Sequence, residues 1–139
     1  MDQWDEVVDE YKRYLKDILG VTDDNPNPWP SGSMPFRTVE HIKAMFDLIA
    51  QIRDNPNFSD LNVCIRRTAL VLIPIPKRTG VSVFYETKDY DTCYDLFHNA
   101  VPIPDDPDGI GDQLTVTSDE LIPALEYYLD RVRSLDIYI

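Results

Sequence analysis

The chain begins with a stretch whose apolar residues recur every three or four positions, from Asp2 to Leu19. This spacing gives a helix one buried stripe. The stripe consists of Trp4, Val7, Val8, Tyr11, Leu15, Ile18 and Leu19. Acidic residues at its start and basic residues near its end suit the helix dipole, and Gly20 is a natural stop. We therefore predict a first amphipathic helix over residues 2–19.

A second helix is predicted after a proline-rich connector. Residues 23–35 have no hydrophobic period and hold several prolines, which is typical of a loop or a polyproline-like segment. Trp29 in this connector either pins it to the core or offers a contact, and we favour pinning. Thr38 is the expected N-cap of a helix that ends near Arg53. Its apolar face is formed by Val39, Ile42, Met45, Phe46, Ile49 and Ile52.

From Leu61 the hydrophobic period changes to two, which indicates strands. Pro74 and Pro76 cannot donate ladder hydrogen bonds, so the strand that contains them is expected at a sheet edge or to leave the sheet there. The turn 77–80 has the composition of a hairpin. These features predict an antiparallel meander with strands over 61–66, 69–75 and 81–87.

The last third of the chain is less regular. Residues 89–99 are predicted to form a short helix, because Tyr90, Cys93, Tyr94 and Phe97 fit one helical face. A loop and a short strand over 114–116 follow, and Thr117 to Glu120 matches a capping box. The helix after it is expected to bury Leu121, Ile122, Leu125, Tyr128, Leu129 and Val132. The alternation over 135–139 is compatible with a final strand.

Together these elements predict an α+β fold, with an N-terminal helical pair packed on a mainly antiparallel sheet, a C-terminal helix and a possible final strand. The length of 139 residues suits a single domain, 1–139, that includes the connector 23–35. No apolar run reaches the roughly 18 residues of a membrane helix. The acidic N-terminus lacks the features of a secretory signal, so we expect a cytoplasmic protein that does not enter a membrane.

The net charge of −12 changes the functional picture, because phosphate repulsion argues against direct nucleic-acid binding. Residues 89–139 hold 12 acidic residues and only two arginines, a net of −10. Residues 61–88 hold the basic cluster Arg66, Arg67, Lys77 and Arg78. This cluster could bind an anion if its members lie at one end of the meander. Pairing with the acidic segment and plain solvation are the alternatives.

The residues with catalytic or metal-binding chemistry do not form a recognised site. The string from Asp105 to Asp112 fails the EF-hand spacing, and the two cysteines and two histidines lack paired zinc spacing. Cys93 and His98 would diverge on a short helix, which argues against a nucleophile pair. We therefore expect no enzyme activity, no metal and no cofactor.

The function expected from these patterns is protein binding. Carboxylates beside tyrosine suit a basic protein partner, since the ring stacks on arginine and the carboxylate pairs with it. The predicted contact residues are Asp105, Asp106, Asp108 and Asp112, with Tyr94 as the candidate anchor. The protein is expected to be an inhibitor, either an immunity protein for a basic, nucleic-acid-acting toxin or a phage-type inhibitor. A small acidic secretion-type chaperone and a small enzyme with an unrecognised site are the alternatives.

Overall fold

The computed structural model describes residues 2–88, 91–98 and 113–134, and these ranges confirm the α+β fold. The predicted final strand over 135–139 lies outside them. In chain order the longer elements are α1 (Gln3–Arg13), α2 (Met34–Ile52), β1 (Leu61–Arg66), β2 (Ala69–Pro74), β3 (Val81–Lys88), β4 (Asp91–His98), β5 (Gln113–Val116) and α3 (Ser118–Arg133). A π-helical turn, Tyr14–Ile18, continues α1, and a 3₁₀ turn, Pro56–Phe58, precedes β1. No helix in the described ranges is long and apolar enough to cross a membrane.

The five strands form one antiparallel sheet in sequence order, which confirms the predicted meander and extends it by two strands. Residues opposite each other share a sheet face, so Leu70, Val83 and Leu96 lie on the same side. All three belong to the buried core, together with the apolar stripes of the three long helices. The helices therefore pack on this face of the sheet.

The structure moves the start of α2 toward the N-terminus. The prediction that Thr38 caps this helix is wrong, because Ser33 is the N-cap and its hydroxyl accepts the Phe36 N–H at 3.3 Å. Pro35 lies in the first helical turn, where a backbone N–H would have no acceptor within the helix, so the missing N–H of proline costs nothing. Trp29 ties the connector to Leu19, because its indole N–H donates to the Leu19 carbonyl at 2.7 Å, but its ring is 37% exposed and does not enter the core.

The predicted helix over 89–99 is wrong, because residues 91–98 form β4 and pair with β3 along their whole length. Tyr94 and Leu96 are buried on the face that the helices cover, whereas Asp95 is buried on the opposite face. The Asp95 carboxylate accepts a hydrogen bond from the Thr115 hydroxyl at 2.7 Å on β5. A strand buried on both faces shows no simple alternation, which is why its period misleads.

The C-terminal helix begins after Thr117, as predicted, with Pro123 inside it. The cap differs from the predicted capping box, since the Thr117 hydroxyl contacts the Glu120 carboxylate at 3.2 Å and bonds no backbone N–H. Ile122 is half-buried. The remaining predicted core positions are buried, namely Leu121, Leu125, Tyr128, Leu129 and Val132.

Arg133 fixes the end of α3 to the segment that leads into β1. Its guanidinium donates to the two carboxylate oxygens of Asp60 at 2.9 and 2.7 Å and to the Asn57 carbonyl at 2.9 Å. Hydrogen bonding to Arg133 holds the pKa of the Asp60 carboxyl below its ordinary value. A second carboxylate, Asp130, also accepts from this guanidinium at 2.7 Å but is more exposed.

Replacing Asp60→Asn is expected to lower the free energy of unfolding by about 1 kcal/mol, because it weakens a charge-assisted pair that is partly shielded from water. The matched change Asp130→Asn is expected to cost less than about 0.5 kcal/mol, since its carboxylate is largely solvated. Urea denaturation at pH 7 measures both. Equal losses in the two variants would show that Asp60 does not anchor α3.

Candidate functional site

The predicted contact residues are only partly within the described ranges. Asp105, Asp106, Asp108 and Asp112 lie outside them, so their role stays a prediction. Tyr94 lies on β4 and is 8% exposed, with its ring edge-on to Tyr85 at 5.1 Å between centroids. Burial, followed by the neighbouring Tyr85 and Asp47, raises the pKa of Tyr94. The role of Tyr94 as an anchor also stays a prediction, and the structure shows that its ring is mostly buried.

The basic cluster does not assemble into an anion site. Arg66 and Arg67 lie at the β1–β2 turn, whereas Lys77 and Arg78 follow the opposite end of β2. A strand of six residues separates the two pairs by about 17–20 Å. The hypothesis that all four side chains lie at one end of the meander is therefore wrong.

His41, which the sequence analysis did not assign to the core of α2, is fully buried. The Tyr85 N–H donates to His41 Nδ1 at 3.0 Å, so Nδ1 is an acceptor. The proton therefore resides on Nε2, which donates to the Thr68 carbonyl at 2.6 Å. Phe84 stacks on the imidazole with 4.2 Å between ring centroids. The ring is neutral in this arrangement, and burial lowers its pKa.

The imidazole of His41 replaces one rung of the sheet. The β2–β3 pairing ends at Leu70 opposite Val83, and two further residues along each strand would place Thr68 opposite Tyr85. In an uninterrupted antiparallel ladder these two residues would bond each other directly. Here the imidazole bridges the Thr68 carbonyl and the Tyr85 N–H. α2 is thereby bonded into the sheet itself.

Tyr11 on α1 donates to the same Thr68 carbonyl at 2.7 Å. Burial raises the pKa of Tyr11 well above its ordinary value, so its hydroxyl remains a donor. The carbonyl belongs to a two-residue turn in which Arg67 and Thr68 have φ of 51° and 67°. Left-handed backbone is unfavourable for a β-branched residue. We name the contacts of Tyr11 and His41 with the Thr68 carbonyl the Thr68 clamp.

The exposed side of α3 carries the most site-like surface in the described part of the acidic segment. Tyr127 is 61% exposed, which is unusual for an aromatic side chain on a helix. Residues three, four, seven or eight positions apart share a helix face. The solvent-facing residues that meet this rule are Asp119, Glu120, Pro123, Tyr127 and Asp130, with Glu126 beside them. We name this set the α3 face.

The arginines of α3 are directed to partners within the protein. Arg133 pairs with Asp60 and Asp130, as described above. Arg131 lies over the rings of Tyr127 and Tyr128, with its guanidinium carbon 5.8 and 5.7 Å from their centroids. Tyr127 is also edge-on to Tyr128 at 5.5 Å. These contacts hold the exposed ring in place and leave several carboxylates of the α3 face toward solvent.

The metal-ligating and nucleophilic side chains of the described ranges have the following surroundings. In these ranges, no three His, Cys, Asp or Glu side chains are grouped so that they could hold a metal ion. Cys64 is a half-buried free thiol, and His41 is engaged at both ring nitrogens. Comparisons of the chain with protein-family models, with curated proteins and with solved structures find no match.

The buried neutral His41 predicts a pH dependence of stability. The folded-state pKa of His41 is lowered, so the contribution of the neutral imidazole to the free energy of unfolding is complete above the unfolded-state pKa of about 6.5. This contribution is lost as the pH falls toward the folded-state pKa. The free energy of unfolding should therefore fall between pH 7 and pH 5. His41 can contribute at most about 1.4 kcal/mol per pH unit to the slope, the limit for one proton.

The matched variant is His41→Gln, which keeps a hydrogen-bonding side chain but does not titrate in this range. It is expected to be less stable than the wild type at pH 7, because one amide cannot reproduce both imidazole bonds. Its stability should change less between pH 7 and pH 5. Identical pH slopes in chemical denaturation would contradict the assigned protonation state.

Proposed function

We propose that this protein is a binding protein that inhibits a basic, nucleic-acid-acting enzyme, in the manner of an immunity protein or a phage-type inhibitor. The observation that carries the proposal is the α3 face, on which an exposed tyrosine stands among carboxylates. Tyrosine is enriched among the residues that dominate protein interfaces. Carboxylates around it complement arginine and lysine on a partner.

The distribution of charge supports the same proposal. The α3 face belongs to the segment 89–139, whose net charge is −10. A field of this sign accelerates the approach of a cationic protein by about 10- to 10³-fold at low salt. The same field repels nucleic acid. An enzyme with a basic nucleic-acid-binding surface is therefore attracted to this protein, whereas the nucleic acid on which that enzyme acts is repelled.

The experiment that tests the function begins with capture of partners from a host lysate at low salt and their identification by mass spectrometry. The captured protein is then purified, and its nuclease or other nucleic-acid-directed activity is measured as the inhibitor is titrated. We expect loss of activity at one equivalent. A captured basic enzyme that keeps full activity in the complex would refute inhibition.

Two variants of the exposed ring serve as internal controls in this assay. Tyr127→Ala is expected to weaken inhibition by at least about tenfold, because truncation of a central aromatic anchor costs about 2 kcal/mol or more. Tyr127→Phe keeps the ring and should retain most of the affinity. Since the side chain is largely exposed, neither change should shift the melting temperature by more than a few degrees.

Three triple variants with the same net charge locate the contact. The α3 variant carries Asp119→Asn, Glu126→Gln and Asp130→Asn, and the loop variant carries Asp105→Asn, Asp106→Asn and Asp108→Asn. The control carries Asp17→Asn, Asp23→Asn and Asp24→Asn, at three exposed positions distant in sequence from both sets. Each triple variant loses three negative charges, so its net charge is −9 where that of the wild type is −12.

The variant that alters the interface should slow association by about threefold to tenfold more than the control, a part of the full steering effect. It should also flatten the dependence of the association rate on salt, because rim charges act mainly on that rate. Stopped-flow or surface-based kinetics with the purified partner measure both quantities. If all three variants associate equally fast, neither the α3 face nor the loop is the contact.

A further inference from the structure

The outer edge of β1 already holds one amide that does not belong to the sheet. The side-chain amide of Gln3 donates from Nε2 to the Leu61 carbonyl, and its Oε1 accepts the Val63 N–H at 3.0 Å. An added strand would bond the same two backbone groups with two of its own peptide groups. α1 thus covers the first half of this edge with a side chain that imitates a strand.

Ile65 is the next residue that faces outward. Backbone groups along an antiparallel strand point alternately to either side, so the outward series runs from Leu61 and Val63 to Ile65. Neither the N–H nor the carbonyl of Ile65 is hydrogen-bonded to a side chain or a neighbouring segment within the described part of the chain. An extended peptide could exchange two hydrogen bonds with this residue.

A cleft of about 270 Å³ lies between this part of the edge and α1. Among the described residues it is lined by Glu10, Tyr11, Tyr14, Ile65, Arg67 and Thr68. Tyr14 begins the π-helical turn, where the Leu19 N–H reaches back five residues to the Tyr14 carbonyl. Turns of this kind occur frequently at functional sites. On the other wall, the Thr68 clamp fixes the turn that carries Arg67.

The lining of this cleft carries one charge of each sign. Glu10 is exposed on the α1 side and Arg67 on the hairpin side. Neither side chain forms an ion pair or a hydrogen bond with another residue in the part of the chain that the structure describes. A ligand that presents both a basic and an acidic side chain would therefore complement the cleft.

From these features we infer that the cleft binds an extended peptide segment, which adds to the edge of β1 at Ile65 and places a basic side chain at Glu10 and an acidic one at Arg67. The observations favour a peptide because the neighbouring position on the same edge is occupied by the amide of Gln3. The bound segment belongs to a protein partner. This site involves α1 and β1 and does not rest on the function proposed for the α3 face.

The probe is the pentapeptide acetyl-Val-Lys-Val-Glu-Val-amide, titrated into the isotopically labelled full chain at low salt and followed by amide NMR. We expect the Ile65 amide proton to shift downfield and to exchange more slowly with solvent as the peptide is added. Two analogues are compared, one N-methylated at its valines and one at its lysine and glutamate. Since alternate residues pair on opposite strand edges, one analogue should bind and the other should not.

The charged residues of the cleft are tested by Glu10→Gln and Arg67→Gln, both at exposed positions where folding should be unaffected. Each variant is expected to weaken the pentapeptide by about twofold to fivefold, the range of a solvent-exposed ion pair. Neither should change binding of a neutral analogue with glutamine in place of lysine and glutamate. That comparison separates a charge contact from a general loss of the cleft.

Two results would overturn the inference. One is equal binding of both N-methylated analogues, and the other is an Ile65 amide that does not respond to millimolar peptide. In either case the inhibition experiment remains informative, because it depends on Tyr127 and its neighbouring carboxylates. A chain that inhibits its partner but ignores the pentapeptide would retain the proposed function without the peptide site.

Discussion

The carbonyl oxygen of Thr68 is the atom at which both N-terminal helices are joined to the sheet. It accepts from Tyr11 on α1 and from His41 on α2, and the same imidazole accepts from β3. Buried polar groups of this kind contribute modestly when paired, but each costs about 1–3 kcal/mol when its partner is removed. The positions of α1, α2 and the β2–β3 pairing are therefore coupled through one small group of hydrogen bonds.

This coupling also explains how a hairpin without glycine keeps a left-handed turn. Two successive left-handed residues cost roughly 1–2 kcal/mol each, and Thr68 is β-branched. Two hydrogen bonds to the Thr68 carbonyl offset a comparable amount, at about 0.5–1.5 kcal/mol each. The turn is thus held by tertiary contacts where the local sequence disfavours it. The exposed residue in this turn is Arg67.

The parts of the fold that could be predicted from sequence are those with one buried face. α1, α3 and the strands of the meander each show a single apolar period, so their existence and type follow from spacing. β4 could not be recognised because apolar residues stand in consecutive pairs, Cys93 with Tyr94 and Leu96 with Phe97, which breaks the alternation expected of a strand. His41 escaped notice because its role depends on the register of two strands elsewhere in the chain, although its spacing from Met45 and Leu48 places it on the buried stripe of α2.

The candidate surfaces could also be predicted only in part from the sequence. A net charge of −10 over 51 residues identifies an acidic segment, but it does not say which of its carboxylates share a face. The helical spacing of Asp119, Tyr127 and Asp130 could have singled out the α3 face. The pairing of Arg133 with Asp60, by contrast, joins residues far apart in the chain, and no local pattern encodes it.

The placement of Arg131 and Arg133 affects the charge that α3 presents to solvent. Had they projected to solvent, they would have offset part of the outward charge of α3. Arg133 is instead paired with both Asp60 and Asp130, and Arg131 lies against Tyr127 and Tyr128. The same contacts that fasten the end of α3 and orient its exposed ring leave Asp119, Glu120 and Glu126 without an ion-pair partner among the described residues. The stability of the fold and the acidity of this surface thus depend on the same two side chains.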